Sequence, residues 1–155
     1  MSDQKLIPPF DLEAAQAKVR AAEDLWNQQV PQQIAQAYTQ DSRWRNRSHF
    51  LQGHSAIIHF LMQKWEQEKS YKLIKELWSF QDHRIAVRFA YEWHDVNGRW
   101  WRSYGNENWQ FNAEGLMEER HASINDVSIE SRDRLFLWQG HVRPSDHPGL
   151  TDLGL

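Results

Sequence analysis

The sequence predicts an α+β fold, in which three helices from the N-terminal half pack on one face of a strongly curved antiparallel sheet. Residues 12–65 carry apolar side chains at the three- and four-residue spacing of helices, with one short alternating segment between them. Residues 71–127 instead contain four long segments of strand character, separated by turn residues. A chain of 155 residues suits a single domain.

The predicted helices begin at residues that can cap or initiate them. Asp11 can cap a first helix from Leu12, and Pro31 fits the first turn of a short second helix. Residues 42–47, SRWRNR, then alternate as a strand does, and Ser55 can cap a third helix. The first helix has one apolar stripe, formed by Leu12, Ala15, Val19, Ala22 and Trp26.

Two predicted hairpins set the register of the strands at residues 71–80, 84–94, 99–111 and 116–127. Asn97-Gly98 is typical of a two-residue type I′ turn. With that turn, the facing pairs are Val96–Arg99, Arg88–Glu107, Ala90–Gly105, Glu92–Ser103 and His94–Trp101. With Phe111 facing Leu116 in the next hairpin, the pairs are Glu107–Arg120, Gly105–Ala122 and Trp101–Asp126. A loop one residue longer would exchange the faces of the partner strand.

Three segments are expected along the chain: a disordered or extended N-terminus at residues 1–10, a domain at 11–127, and an extended C-terminal arm at 128–155. The first ten residues lack the basic and apolar regions of a signal peptide. No apolar stretch approaches the roughly 20 residues that span a bilayer. We therefore expect a cytoplasmic protein without a membrane partner.

The composition of the chain argues against nucleic-acid, metal and cofactor partners. RWRNR at 43–47 interleaves basic and aromatic residues as a nucleic-acid-binding strand does, but the net charge of −3 gives no general attraction to nucleic acid and no other basic cluster supports it, so no nucleic-acid partner is expected. Cysteine is absent, which excludes thiolate chemistry. His94 and Asp126 are too few ligands for a metal site, so neither a metal nor another cofactor is expected. Nine tryptophans suit a core, an interface or a cavity wall.

The order of elements, together with the segment NENWQFNAEGLMEERHASIND at 106–126, resembles the nuclear transport factor 2-like superfamily. This superfamily includes ketosteroid isomerases and SnoaL-like cyclases, and the resemblance covers about residues 11–127. The phrases RWRNR, RFAYEW, RSYGNENW and RHASIND more closely resemble a family of bacterial proteins of unassigned function. The resemblance implies a cone-shaped half-barrel with a pocket, and a homodimer formed through an aromatic outer sheet face. It does not transfer an activity.

The resemblance also implies which side chains face the pocket. ENWQF places Glu107 where ketosteroid isomerases have an inward acid, and the same alignment turns Arg88, Glu92, His94, Arg120, Ala122, Ile124 and Asp126 inward. A row of small residues, Ala90–Gly105–Ala122, would leave room for a ligand. Asn46 stands where those enzymes have their proton-abstracting aspartate, and Ala22 where they have the oxyanion-hole tyrosine. Steroid isomerase chemistry is therefore not expected.

These residues predict a pocket for a small polar or anionic organic ligand. If the protein is an enzyme, it would be a cofactor-independent acid–base catalyst of isomerase, dehydratase or epoxide-hydrolase type. The candidate catalytic residues are Glu107, Asp126 and Glu92. The candidate substrate-binding residues are Arg88, Arg120, Asn46, Trp44, Trp101, Trp109, His94 and Ser103. Flanking guanidinium groups should keep Glu107 ionised, with a lowered pKa.

The alternative is a non-catalytic module for dimerisation or protein binding, with Arg88, Glu107 and Arg120 as a buried structural triad. The two interpretations differ in the space around Glu107. A catalyst needs an open pocket there, whereas a scaffold can fill it with Trp44, Trp101 and Trp109.

Overall fold

The computed structural model describes residues 6–155, so the prediction for residues 1–5 lies outside the described part. The helices are α1 (Leu12–Gln28), α2 (Pro31–Ala35), α3 (His54–Gln67) and α4 (Leu150–Leu153). The strands are β1 (Tyr38–Asn46), β2 (His49–Gln52), β3 (Lys69–Gln81), β4 (Arg84–His94), β5 (Trp100–Phe111) and β6 (Met117–Ile129). The α+β class is confirmed. No helix in residues 6–155 is long and apolar enough to cross a membrane.

The helices begin where capping and apolar spacing place them. Asp11 accepts a hydrogen bond from the backbone N–H of Ala14 at 2.8 Å, which satisfies one free donor of the first turn of α1. The stripe on α1 buries Ala15, Val19 and Trp26. For α3 the predicted cap was wrong: the helix begins at His54, so Ser55 lies inside its first turn and Gly53 holds the N-cap position.

The six strands form one curled, unclosed sheet in the order β2-β1-β6-β5-β4-β3. All neighbours are antiparallel except β1 and β6, which run parallel. The crossover from β1 to β6 lets the long meander curl back toward the first strand. Helices α1 and α3 contact the sheet and cover its concave side.

The predicted register of β4 against β5 was wrong by one residue. Three residues, Val96 to Gly98, lie between Asp95 and Arg99, whose backbones bond at 2.9 Å. The Asp95 carboxylate also accepts the backbone N–H groups of Asn97 and Arg99, and these bonds stabilise the longer turn. Arg88 therefore faces Asn106 rather than Glu107.

This one-residue shift exchanges the faces of β4. Arg88, Glu92 and His94 were predicted to point into the cone, and that prediction was wrong. The inner face of β4 is instead apolar, with Val87, Phe89, Tyr91 and Trp93.

The register of β5 against β6 differs from the prediction by two residues. One comes from the turn, where Phe111 pairs with Met117 rather than Leu116, and the other from a bulge between Gln110 and Phe111. A shift of two preserves the faces, so Glu107, Arg120 and Asp126 lie on the inner side. The inner face is consequently a stack of rows across the sheet. From the narrow end these rows are Trp44–Arg120–Trp109–Ile85, Asn46–Ala122–Glu107–Val87, Ile124–Gly105–Phe89, Asp126–Ser103–Tyr91 and Ser128–Trp101–Trp93.

The C-terminal arm folds back over the outer face of β3 and β4. Phe136, Trp138 and Leu150 pack there against Ile74 and Ala90 in a second apolar cluster. The aromatic outer surface predicted for a dimer is therefore absent from this part of the sheet: the β4 aromatics face inward, and the arm covers the opposite side.

The outer edge of β3 is protected by side chains of α1. Asn27 donates to the Leu73 carbonyl at 2.9 Å and accepts from the Leu73 N–H at 2.8 Å. Glu23 accepts the backbone N–H of Lys75 at 2.8 Å. The two side chains satisfy backbone groups that an edge strand would otherwise leave free.

Candidate functional site

The narrow half of the cone encloses an ionic cluster of Lys75, Glu107 and Arg120. Glu107 accepts from Lys75 Nζ, from Arg120 Nε at 2.8 Å and from Trp109 Nε1 at 2.8 Å. The exposed fraction of each of the three charged side chains is 3% or less. We call this group the buried cluster.

The electrostatics of the buried cluster keep Glu107 ionised. Burial by itself would raise the pKa of Glu107, but the charges of Lys75 and Arg120 and the hydrogen bonds outweigh it and lower the pKa to about 2. A carboxyl group with this pKa carries no proton to donate near neutral pH.

Lys75 occupies the place that the sequence analysis gave to Arg88. Arg88 lies on the outer face, where it bonds to Glu76 and Thr151, each at 3.1 Å. The alternation in YKLIKELW contained the signal for Lys75, because Tyr71, Leu73, Lys75 and Leu77 share the inner face of β3.

Aromatic rings complete the packing around the buried cluster. The Arg120 guanidinium lies 4.5 Å from the Trp44 ring centre, and Lys75 Nζ lies 4.6 Å from that of Phe89. Trp44 and Trp109 are buried, as the structural alternative requires. Trp101 lies elsewhere, stacked on Trp93 near the open end.

The row of small residues does not make room for a ligand. A Cβ on Gly105 would lie 2.2 Å from the Phe89 ring, so the ring fills this space. Ala90 lies on the outer face beneath the arm. The predicted opening beside Glu107 was therefore wrong, because the β4 register brings Phe89 to that position.

The open end of the cone contains a cavity of about 740 Å³. This volume lies within the range of small-molecule pockets. Its wall comes from the ends of β1, β4 and β6, from β2 and from α3. The lining residues are Asn46, Arg47, His49, Phe50, Leu51, Ala56, His59, Phe60, Gln63, Lys64, Gln67, Glu68, Tyr91, Trp93 and Asp126.

Asp126 is the carboxylate that the sequence analysis and this cavity share. Its Oδ1 accepts from Arg47 Nη2 at 2.6 Å and from Ser103 Oγ at 2.5 Å, and Ser103 itself accepts from Trp93 Nε1 at 2.9 Å. Partial burial opposes ionisation, but the bonds from Arg47 and Ser103 lower the pKa of Asp126. The side chain remains 31% exposed.

A second ion pair lies on the helical wall of the cavity. Lys64 Nζ is 2.7 Å from Glu68 and 4.2 Å from the ring centre of Tyr91. Burial alone would lower the pKa of Lys64, but the charge and hydrogen bond of Glu68 together with the Tyr91 hydroxyl outweigh it and raise the pKa. The Tyr91 hydroxyl also accepts a long hydrogen bond of 3.5 Å from Arg47.

Asn46 connects the cavity with the buried cluster. Its Oδ1 accepts from Arg120 Nη1 at 3.1 Å, and the residue also lines the cavity. Its place in the row with Ala122 and Glu107 explains this double contact.

The structure separates the remaining predicted residues from the cavity. Glu92 bonds to Arg102 at 2.8 Å and to the arm through the N–H groups of Leu135 and Phe136. His94 bonds to Asp95 and Ser70. Among residues 6–155 no group of three His, Asp or Glu side chains is placed to hold a metal ion.

Sequence reasoning missed most of the polar residues of the cavity, among them the members of its ion pairs and its hydroxyl group: Arg47, Lys64, Glu68 and Tyr91. Arg47 was visible in RWRNR, but it sits at φ 58° in the turn after β1, and strand alternation does not predict its direction. The helical spacing of Lys64 and Glu68 indicates an ion pair, without showing that it faces a cavity.

Solved structures share the fold at low sequence identity. SalBIII, an epoxide hydrolase/cyclase-like enzyme with a role in pyran ring formation in the polyether salinomycin, matches with a TM-score of 0.63 and 15% identity over 74% of this chain and 93% of its own. A nuclear transport factor 2-like protein of unknown function from Burkholderia pseudomallei matches with a TM-score of 0.64 and 18% identity, over 72% and 90%. One from Exiguobacterium sp. 255-15 gives 0.60 and 12%, over 72% and 98%. These similarities establish the nuclear transport factor 2-like fold.

Sequence comparison gives the family. No curated protein sequence matches the chain significantly. A family model described as "Protein of unknown function (DUF1348)" matches residues 8–137 and so spans most of the chain, including the buried cluster and every residue that lines the cavity. The chain belongs to the DUF1348 family, on a nuclear transport factor 2-like fold.

Proposed function

We propose that the cavity at the open end binds a small polar organic molecule and that Asp126 is the carboxylate that contacts it. The observation that carries this proposal is the composition of the cavity wall. Aromatic side chains that can hold the body of a ligand surround an ionised, partly exposed pair, Arg47 and Asp126. The wall combines four aromatic side chains, Phe50, Phe60, Tyr91 and Trp93, with polar and charged ones. Apolar contacts together with placed polar groups are typical of ligand sites.

The arrangement suits cofactor-independent acid–base chemistry. Asp126 can accept a proton or a hydrogen bond from a substrate hydroxyl group or a water molecule. Arg47 and the Tyr91 hydroxyl lie beside it and can stabilise negative charge that develops on a substrate oxygen. The shared fold with SalBIII supports ring opening or ring closure as the reaction class to test first.

Glu107 takes a structural role in this proposal. It is enclosed, ionised and bonded to two cations, so neither a substrate nor a catalytic proton reaches it. We therefore keep the idea of a buried structural triad around Glu107 and Arg120, with Lys75 in the place of Arg88.

The test is a thermal-shift panel of epoxides, enones, hydroxy acids and their neutral analogues, measured on the wild type and on Asp126→Asn. A ligand present at 100 times its Kd adds about 2.7 kcal/mol of stability. We expect at least one compound to raise Tm in the wild type, and this rise to shrink in Asp126→Asn because the neutral amide is a weaker acceptor than the carboxylate and presents donors in place of one of its oxygens.

The matched control is Asp146→Asn, which removes the same charge from an exposed position in the arm. It should respond to the compounds as the wild type does. A panel without a single hit, or hits that Asp126→Asn leaves unchanged, would contradict the proposal and favour the non-catalytic dimerisation or protein-binding module.

A further inference from the structure

We infer that the cavity floor at Asn46 is an anion subsite, which binds the carboxylate of an organic acid and so supplies a counter-charge that the buried cluster lacks. This inference rests on the proposed function, because it names the class of ligand for the same cavity. The observations behind it are a charge count and the hydrogen bonds of one amide.

The buried cluster contains two cations, Lys75 and Arg120, but one carboxylate, Glu107. The neighbouring ion pairs do not correct this imbalance. Glu23 beside Lys75 is bound by Arg143 and Arg20, and Arg20 also pairs with Asp24. Four positive charges thus stand against three negative ones, an excess of one.

An uncompensated charge inside a protein is costly, so the group shifts its pKa, is paired or binds a counter-ion. Burial lowers the pKa of Lys75 and the Glu107 carboxylate only partly opposes this, so the cost of this cation is not fully met inside the buried cluster. The buried cluster is closed by aromatic rings on most sides, which attract cations but carry no net charge. Asn46 is the polar residue that links the buried cluster to the cavity, because it contacts Arg120 on one side and lines the cavity on the other.

The direction of this hydrogen bond decides what Asn46 offers to the cavity. Arg120 Nη1 donates to Asn46 Oδ1, so the carbonyl end of the amide is turned toward the guanidinium. The remaining polar group is the Nδ2 amino group, which can only donate. Within residues 6–155 it donates to no protein acceptor, and an amide polarised by a cation is a stronger donor.

The other cations of the cavity are already compensated. Arg47 is 2.6 Å from Asp126, and Lys64 is 2.7 Å from Glu68. The excess positive charge is therefore at the floor and not at the rim. A bound organic acid would place its carboxylate on Asn46 and extend its body between Tyr91, Trp93 and Phe60, which line the cavity above.

The first test is a titration with benzoate and with its neutral counterpart benzamide at constant ionic strength. Binding is monitored by the NMR signal of the Arg120 Nε–H in ¹⁵N-labelled protein. We expect a saturable shift with benzoate, with a Kd on the order of 1 mM, and a much weaker response to benzamide. Asn46→Asp should raise the Kd for benzoate by about tenfold or more, because the new side-chain carboxylate supplies the negative charge that the ligand would otherwise bring.

Asn125→Asp is the matched control, since it adds the same charge at an exposed position on the outer face of β6. It should bind benzoate as the wild type does. Equal affinity for benzoate and benzamide would overturn the anion subsite and leave the proposed ligand cavity intact. Failure of both compounds to shift Arg120 would overturn the subsite as well, while the compound panel decides the proposed function separately.

The thermal stability of the same variant gives a second readout, because Asn46→Asp should weaken benzoate binding but stabilise the protein. Asn46→Asp should raise Tm, on the order of 2–4 °C, because it neutralises the excess charge beside Arg120. Asn125→Asp should leave Tm nearly unchanged. A fall in Tm for Asn46→Asp with no change for the control would show that no uncompensated positive charge exists, and the inference would fail.

Discussion

The two halves of the cone interior contain the same chemical pairing in different surroundings. In the narrow half Glu107 is 1% exposed and is bonded to Lys75 and Arg120, whereas at the open end Asp126 is 31% exposed beside Arg47. Both carboxylates have a lowered pKa. Enclosure makes the first pairing part of the framework, and access makes the second one available to a ligand.

Glu107→Gln should have the largest effect on stability. The substitution leaves Lys75 and Arg120 buried without their carboxylate, and breaking a buried pair typically costs about 3–5 kcal/mol. Urea unfolding followed by tryptophan fluorescence measures the loss. A cost below about 1 kcal/mol would show that the narrow half does not depend on this carboxylate.

The pH dependence of stability checks the same assignment. The pKa of Glu107 is about 2 in the folded protein, below the ordinary value of about 4.3 for the unfolded chain. Its contribution is therefore complete above about pH 4.3 and is lost as the pH falls from there through about 2. Glu107→Gln should reduce the acid-dependent loss of stability seen in the wild type.

Gly105→Ala tests how tightly the narrow half is closed. The added methyl group would collide with the Phe89 ring, and overpacking of this kind costs about 1–3 kcal/mol. In a Phe89→Leu background the same substitution should cost less, so the double-mutant cycle should show a favourable coupling. Additive effects would mean that the ring does not occupy the space above Gly105.

Asp126→Asn should have the smallest effect on stability, less than about 1 kcal/mol, because a partly exposed ion pair contributes little. The substitution should change the free energy of ligand binding more than it changes the free energy of unfolding. If it destabilised the protein as much as Glu107→Gln, the contrast between the two halves would be wrong.

The fold and half of the inner surface could be predicted from the sequence. Helical spacing located α1 and α3, and the alternation in β5 and β6 placed Glu107 and Arg120 on one face even though their predicted register was wrong by two residues. An even shift preserves faces, so this error changed the facing pairs but left Glu107 and Arg120 on the same side of the sheet.

The error in β4 had the opposite consequence. One extra residue in the turn after Asp95 moved Arg88 and Glu92 to the outer face, and turn length depends on side-chain bonds that the Asn97-Gly98 signal does not contain. The cavity was missed for a related reason. It is formed by the ends of elements, such as Arg47 after β1, where strand periodicity no longer fixes direction.

The side-chain bonds of Asn27 to the backbone of Leu73 have a consequence for how the protein behaves at high concentration. An amide that donates and accepts like a peptide group imitates one residue of a further strand. The edge of β3 is thereby terminated at Leu73, so a strand from a neighbouring molecule finds no free pair of groups there. Asn27→Leu should therefore promote fibrillar aggregation near neutral pH in a protein that still folds.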